Sequence, residues 1–387
     1  MRQIFVILFL ILPPLMARAE EVRIGFIEYD VDPRFDEDFA YARIPLRSRG
    51  DTLTAVKLAI GDLKPLIDAR ELTVRLDAVK TSPESLLTDA ERLVERGASF
   101  ILVDLVAGDV DRLAAGLADR PITIVNTTAH EDWLRTRCYG RLLHSAASDR
   151  MISDALVQFM VRHKWQSVLV LRGQTERDSK RAESFEQAAR RFRMRIVDSR
   201  SFDLSTNPAQ REQNNIALVT GGTRNYDAVF IADERGEYAR YVPYQTALPR
   251  PVVGATGLVA LEWHWSLERY GAPQVNSRFE DASPGKRRMG WQDWSAWIGM
   301  RAVLTAVTKS QDRSTEGIND FLRSRRLRLD GSKGASMTFR PWSGQLRMPI
   351  LLATHNAVID IAPLRGFEHR INTLDSLGQD EAEFACE

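Results

Sequence analysis

The stretch SPESLLTDAERLVERGASFILVD, residues 82–104, decides the fold class. Residues 83–96 carry apolar side chains at helical spacing, with Ser82 as the cap and Gly97 as the stop. Phe100 to Val103 then form a short apolar run of the kind that makes a buried strand. The same alternation extends to both sides. Before it, Val22 to Ile27 reads as a strand, Thr52 to Ile67 as a helix (Leu53, Val56, Ala59, Ile60, Leu63), and Leu72 to Val79 as an alternating strand. After it, Asp109 to Leu117 is helical and Ile122 to Val125 is a strand. Helices that alternate with short strands predict βαβ units and a parallel sheet covered on both faces.

A second series of this kind follows. Asp149 to His163, Asp178 to Phe192, Pro208 to Val219 and Glu237 to Thr246 read as helices. Between them, Ser167 to Leu171, Met194 to Phe202, Ala228 to Ala232 and Val252-Val253 read as strands, giving a second α/β lobe. From Glu262 onward the chain is rich in tryptophan and charge. It then forms helices over Asp293 to Val307 and Thr315 to Arg323, and β-like segments at Met337 to Phe339, Ile350 to Ala353 and Val358 to Ala362. The tail, Asn372 to Glu387, is polar and acidic and is expected to be disordered unless Cys386 ties it down.

The chain opens with a leader. Arg2 precedes a continuous apolar run, Ile4 to Leu12, then Pro13-Pro14 and the small-residue signal Ala17-Arg18-Ala19. This is the pattern of a cleaved secretory signal covering residues 1–19, and the run is too short to span a bilayer. A protein exported this way meets oxidising conditions, so Cys138 and Cys386, the two cysteines of the chain, are either a disulfide or two free thiols.

With 387 residues, 44% hydrophobic and 27% charged, the chain has room for two domains and is not a disordered polymer. A net charge of +1 gives no field that would draw nucleic acid or an anionic membrane. The basic runs at 190–195 and 323–328 read as solvated helix faces and ends. No later apolar run reaches spanning length, so the mature chain is not expected to be membrane-embedded. No G-x-S-x-G, P-loop, G-x-G-x-x-G or C-x-x-C is present, and the reading calls for no enzymatic activity and no cofactor. The competing enzymatic reading is a hydrolase site assembled from His144 or His264 with Asp233.

Three constellations could hold a ligand. The loop after the first strand, IEYDVDPRFDEDF, gathers Glu28, Asp30, Asp32, Asp36, Glu37 and Asp38 where a parallel strand ends. Clustered carboxylates favour a cation, and Asp30, Asp32 and Asp36 are candidate ligands for a hard ion such as calcium or a lanthanide. The alternative is a solvated loop whose charges meet Arg34 and Arg43. The second constellation is tryptophan. Trp294 and Trp297 read as core, whereas Trp263 and Trp265, after Gly254 and Gly257, are pocket candidates for a planar or apolar body. The third is NTTAHEDW, where Asn126, Thr127 and Thr128 offer short polar groups past a strand end and His130 lacks a second histidine at metal spacing.

The order of these segments resembles a family. VRIGFI at the start of the mature chain, residues 82–104, CYGRLLHSAASDRMISDALVQFM (138–160) and WQDWSAWIGMRAVLTAV (291–307) are similar to type I periplasmic binding proteins, the receptors of branched-chain amino acid ABC transporters. IGFIEYD, NTTAHEDWLR, GATGLVALEWHW and NTLDSLG resemble a divergent subgroup associated with PQQ-dependent alcohol dehydrogenase systems. The resemblance implies an α/β fold of two Rossmann-like lobes with parallel sheets joined by a hinge. Lobe 1 would comprise residues 20–144 and 263–335, and lobe 2 residues 145–262 and 336–387. It also implies a periplasmic location, permease subunits as partners, and a small-molecule or metal ligand in the cleft.

The sequence departs from the amino acid-binding pattern of that family. VDLVAGDV (103–110) has no hydroxyl and LRGQTERDSK (171–180) has no tyrosine, whereas Asn126, Thr127 and Thr128 are kept. Asp233 or Glu234 in IADERGEY would match the residue that receives an ammonium. The expected pocket set is therefore Glu28, Tyr29, Asp30, Thr127, Thr128, Asp233, Glu234, Trp263 and Trp265. Carboxylates would hold a cation or amine, threonines a polar group, and indoles an apolar or planar body.

Overall fold

A computed structural model describes residues 20–35, 50–203, 214–223 and 225–386. The leader, Asp36 to Asp38 and Arg43 lie outside these residues. The first sheet contains β1 (Glu20–Tyr29), β2 (Leu72–Thr81), β3 (Ala98–Asp104), β4 (Thr123–Asn126) and β5 (Leu142–His144) in the order β2-β1-β3-β4-β5, all parallel. Side chains along a strand alternate between faces. In β3, Phe100 and Leu102 pack on one side of the sheet, while Ile101 and Val103 pack on the other. The first side is covered by α1 (Thr52–Asp68) and by the Trp291–Lys309 helix. The second is covered by α2 (Leu86–Glu95) and α3 (Ala107–Gly116). Every residue from Phe100 to Val103 is fully buried, as a strand covered on both faces requires.

Two local boundaries are instructive. Helix α2 starts at Leu86, three residues later than its apolar spacing predicts. The Ser82 hydroxyl accepts from the Ser85 amide at 3.3 Å and Ser85 accepts from the Ser82 amide at 3.1 Å, which folds residues 82–85 into a turn before the helix begins. Gly97 ends the helix at φ +94°, a conformation that disfavours any side chain. In the Trp291–Lys309 helix, Gly299 lies against the first sheet. A Cβ there would sit 2.8 Å from the Ser145 hydroxyl and 3.2 Å from Val125, so the glycine permits the close approach.

The second sheet contains β6 (Ser167–Arg172), β7 (Arg195–Ser201), β8 (Ala228–Ala232) and β9 (Val252–Gly254) in the order β7-β6-β8-β9, again all parallel. The short α4 (Trp133–Thr136) precedes β5, α5 (Asp149–Arg162) leads into β6, and α6 (Glu176–Arg191) joins β6 to β7. Helix α5 packs against α6 and against an antiparallel sheet of β10 (Val259–Leu261), β13 (Ile350–Ala353) and β14 (Val358–Ala362). Strands β11 (Leu329–Asp330) and β12 (Ser336–Met337) form a two-stranded ribbon between them in sequence.

The tail is ordered through Cys386. Buried Asp375 accepts from Arg340 and Arg347, each at 2.8 Å, and the Gly378 amide donates to Asp154 of α5 at 2.8 Å. A disulfide joins Cys138, between α4 and β5, to Cys386. Among the described residues no helix is long and apolar enough to cross a membrane.

Candidate functional site

The strands of the two parallel sheets end at one cleft. Ligands of open α/β sheets bind beyond the carboxyl ends of the strands, where the loops leave the sheet. One wall of the cleft carries Tyr29 at the end of β1, Asp104 at the end of β3 and Thr128 past β4. The other carries Arg177 and Arg181 on the first turns of α6, together with Glu234 past β8. Glu131, His130 and Trp291 lie between them.

The first wall is organised by Arg34. Asp32 accepts from Nε at 2.9 and 3.1 Å and from Nη2 at 2.5 Å. Asp104 accepts from Nη2 at 2.6 Å, and the Thr128 hydroxyl accepts from Nη1 at 3.1 Å. Thr128 donates to Asp104 at 2.9 Å and Thr52 donates to its other oxygen at 2.7 Å. Burial works against the Arg34 charge, but Asp104 and then Asp32 outweigh it and raise its pKa. The Tyr29 hydroxyl donates to Asp109, and burial followed by this bond raises the phenol pKa.

The second wall is built on a helix start. Thr175 caps α6 by accepting from the Asp178 amide at 3.0 Å, and Asp178 accepts in return from the Thr175 amide at 3.2 Å. Asp178 also accepts from the Glu234 amide at 2.6 Å, which fixes the β8 loop to the same helix end. Arg177 and Arg181, four residues apart, therefore share a face. Both Nη groups of Arg177 donate to Asp149, with Nη2 at 2.7 Å, and its Nε stands 3.6 Å from Glu131. Arg181 approaches the same Asp149 at 3.8 Å. Burial opposes the charge on Asp149, but Arg177 and Arg181 prevail and hold its carboxyl below the usual range.

Between the walls, the His130 ring lies against Trp291, with centroids 4.3 Å apart. His130 Nε2 meets fully buried Glu262 at 2.8 Å, and the same Glu262 oxygen accepts from the Ala147 amide at 3.0 Å. The Glu262 carbonyl and the Pro349 carbonyl accept from buried Lys333 at 3.0 and 2.7 Å. Gln345 donates to the Ala146 carbonyl at 2.9 Å and accepts from Arg135 at 3.0 Å. Three chain passages between the two parallel sheets, near residues 146, 262 and 345, are thus bonded to one another directly behind the cleft. Burial pushes Lys333 well below its ordinary pKa. It would raise that of Glu262, but His130 and the Ala147 amide keep it low.

Of the residues expected from sequence, Glu28, Tyr29, Asp32, Thr128 and Glu234 line this cavity. Five others do not. Asp30 is exposed and its amide donates to Thr81 at the end of β2. Thr127 is fully buried and donates to the Val103 carbonyl at 2.8 Å. Asp233 accepts from the amides of Gly236, Tyr238 and Ala239, and so shapes its own loop; burial raises its pKa. The Trp263 indole is 1% exposed and donates to Asn276 at 2.9 Å. Trp265 lies under Arg288 at 3.6 Å. Asp36 is outside the described residues. Trp294 and Trp297 are buried and donate to the Gly331 carbonyl and to Asp62.

The cleft also brings in Arg34, Asp104, Glu131, Arg177, Arg181 and Trp291, none of which was in the expected pocket set. Arg177 and Arg181 carried the one usable signal, two like charges four residues apart at the start of a helix beyond a strand. Among the described residues no group of three His, Cys, Asp or Glu side chains is arranged to hold a metal ion.

No family model matches the chain, and no curated protein matches it. Solved structures do. An ABC transporter substrate-binding protein from Sphaerobacter thermophilus is similar with a TM-score of 0.72 and 15% identity, over 89% of this chain and 98% of that one. A branched chain amino acid ABC transporter periplasmic ligand-binding protein from Burkholderia xenovorans LB400 gives 0.68 and 15%, over 88% and 95%. A solute binding protein of an ABC transporter from Rhodopseudomonas palustris BisB5, in complex with 3,4-dihydroxy benzoic acid, gives 0.64 and 11%, over 86% and 93%. The chain has the type I periplasmic binding protein fold, with two parallel sheets as that fold requires.

Proposed function

We propose that the protein is the periplasmic substrate-binding component of an ABC transporter. It closes two lobes on a small organic ligand and presents the closed form to permease subunits. Lobe 1 comprises residues 20–144 and 263–335, lobe 2 the remainder of the mature chain, and residues 1–19 are the export signal. The resemblance to receptors beside PQQ-dependent alcohol dehydrogenases makes alcohol oxidation the chemistry that the ligand belongs to. The observation that carries the reading is the cleft itself: two walls of strand-end and helix-start residues face each other, each centred on an arginine, above interlocked chain passages. Structural neighbours described as substrate-binding proteins, one of them holding a benzoic acid, support it.

An organic ligand fits better than a metal ion. Asp32 is closed off by three contacts to Arg34, and a cation would first have to displace that guanidinium. A thermal-shift screen with amino acids, alcohols, aldehydes, PQQ, calcium and a lanthanide tests the reading. A ligand at 100 times its Kd stabilises the native form by about 2.7 kcal/mol. A shift with an organic compound is expected. A shift with metal ions alone would replace this reading with the metal one. Silence across the screen would leave a protein that keeps the fold for interaction only.

A further inference from the structure

Resting on the cleft reading above, we propose that His130 sets the specificity of the cleft: its Nδ1 is a fixed hydrogen-bond acceptor, and the ligand is an organic molecule that brings an O–H or N–H donor to it. The residue is held on every side but one. Its carbonyl accepts from the Asp149 amide at 2.8 Å. Arg135 Nη1 donates to the carbonyls on either side of it, Ala129 at 2.8 Å and Glu131 at 2.9 Å. The ring lies against Trp291, with 40° between the planes, and Nε2 meets Glu262. His130 is 6% exposed, and Glu262 behind it is fully buried.

Glu262 decides the tautomer. The oxygen that meets Nε2 also accepts from the Ala147 amide, so it stands between two nitrogens as an acceptor and Nε2 carries the proton. In the neutral ring Nδ1 then has a lone pair and no proton. Nδ1 has no hydrogen-bond partner among the described residues. It is not sealed in the interior either: the buried polar atoms left unpaired include Glu262 Oε2 but not this nitrogen. Because His130 lines the cavity, the open side of its ring is the cleft. Neighbouring polar groups are already engaged. Thr128 donates to Asp104, Arg34 to Asp32 and Asp104, and Arg177 to Asp149.

A ligand that donates to Nδ1 replaces the water that otherwise pairs it. An ether of the same shape has no proton to give, and closing the cleft on it leaves the nitrogen unpaired. The acceptor is fixed in advance, so little ordering is lost when the bond forms, and the contact discriminates between ligands that have the donor and those that lack it. Trp291, packed beside the ring, gives apolar surface for the body of the ligand.

Two measurements on the intact mature protein test the proposal, both at about pH 8, above the ordinary histidine range. Long-range proton–nitrogen NMR of histidine-labelled protein reads the tautomer with no ligand present. The His130 signal is picked out of the six histidines by its loss in His130→Gln. A protonated Nε2 and a bare Nδ1 are expected; a protonated Nδ1 overturns the proposal. Calorimetry then compares benzyl alcohol and benzylamine, an O–H and an N–H donor on one body, with benzyl methyl ether, which has neither. At least one donor is expected to bind about tenfold more tightly than the ether. His130→Gln keeps an N–H that reaches Glu262 but removes Nδ1, and should bring that ratio close to one. The ether binding as tightly as both donors, no binding by any of the three, or a ratio unmoved in the variant would overturn the proposal. Failure of the receptor reading is distinct: there, no compound in the broad thermal-shift screen shifts the melting temperature. A hit in that screen confined to compounds without a donor would sink the His130 proposal while leaving the receptor intact.

Discussion

Arg34 and Arg177 face one cleft from opposite walls, and each is held by two carboxylates, but the backbone beneath them differs. Arg34 sits in a single turn, Pro33–Phe35, whose shape comes from Asp32 accepting the Arg34 amide at 2.9 Å. Arg177 sits on the first turn of a 16-residue helix closed by a capping box. Its main partner, Asp149, is itself on the first turn of α5, whose cap Ser148 accepts from the Met151 amide at 3.2 Å. One wall is thus a loop tied by its own side chains, and the other is two helix starts tied to each other. Catalytic and binding groups are held more firmly on helices than on loops. The second wall should therefore be the rigid template and the first the adjustable one.

The sharpest way to break that comparison is Asp149→Asn. Asp149 is 3% exposed and is the main anion for Arg177, so the change leaves the guanidinium with only the weaker attraction of Glu131 and Glu234. Removing one member of a buried pair costs about 3–5 kcal/mol, and a fall of that size in unfolding free energy is expected in a denaturant titration. The pH dependence sharpens it. The folded-state pKa of Asp149 is depressed, so its contribution is complete above the unfolded value of about 3.9 and is lost as pH falls through the lower folded one. The acid limb of the stability profile should flatten in the variant.

Next in size is the disulfide. Cys138 follows α4, in the connection between β4 and β5 of the first sheet. The tail that ends in Cys386 is bonded instead to the helices of the second wall: Gly378 to Asp154 on α5, and Arg191 on α6 to the Gly378 carbonyl at 2.9 Å. The bond closes a loop of 248 residues between these two parts of the molecule. Losing a native disulfide typically costs about 2–4 kcal/mol. Cys138→Ser with Cys386→Ser should lower the melting temperature under non-reducing conditions, whereas a reductant should lower that of the wild type alone.

On the first wall, Asp32→Asn should cost less, about 1–2 kcal/mol, because Arg34 keeps Asp104 and the loop is only partly buried. If Asp32→Asn proves as damaging as Asp149→Asn, the contrast between template and adjustable wall fails.

Much of the architecture was legible before any coordinates. Gly97 stops α2, Phe100 to Val103 are buried on both faces, and the strand–helix alternation gives two parallel sheets. The site was legible only where a residue's place followed from a strand end, as for Glu28, Tyr29 and Thr128. It was illegible where the decisive fact was a partner distant in sequence. Thr127 and Thr128 are neighbours with the same hydroxyl, but one turns back onto β3 and the other faces Arg34. Trp263 follows a glycine-rich loop, as a pocket residue would, but Asn276, thirteen positions on, takes its indole into the core. Arg177 lies one residue before the helix expected from Asp178, and only the fold brings Asp149, 28 residues away, beneath it.

The smallest expected effect is the most discriminating. Glu131 stands 3.6 Å from Arg177, is 20% exposed and follows His130, so it touches the second wall from the first side of the cleft. Partly exposed pairs at that distance contribute about 0.2–1 kcal/mol, and Glu131→Gln should lower stability by no more than that. Its charge nevertheless reaches the cavity. If the second wall is a fixed template, Glu131→Gln should leave Arg177 on Asp149 and change ligand preference with almost no change in melting temperature. A melting temperature that falls as far as it does for Asp149→Asn would show that Glu131 holds the wall together, and the division between rigid and adjustable sides would have to be redrawn.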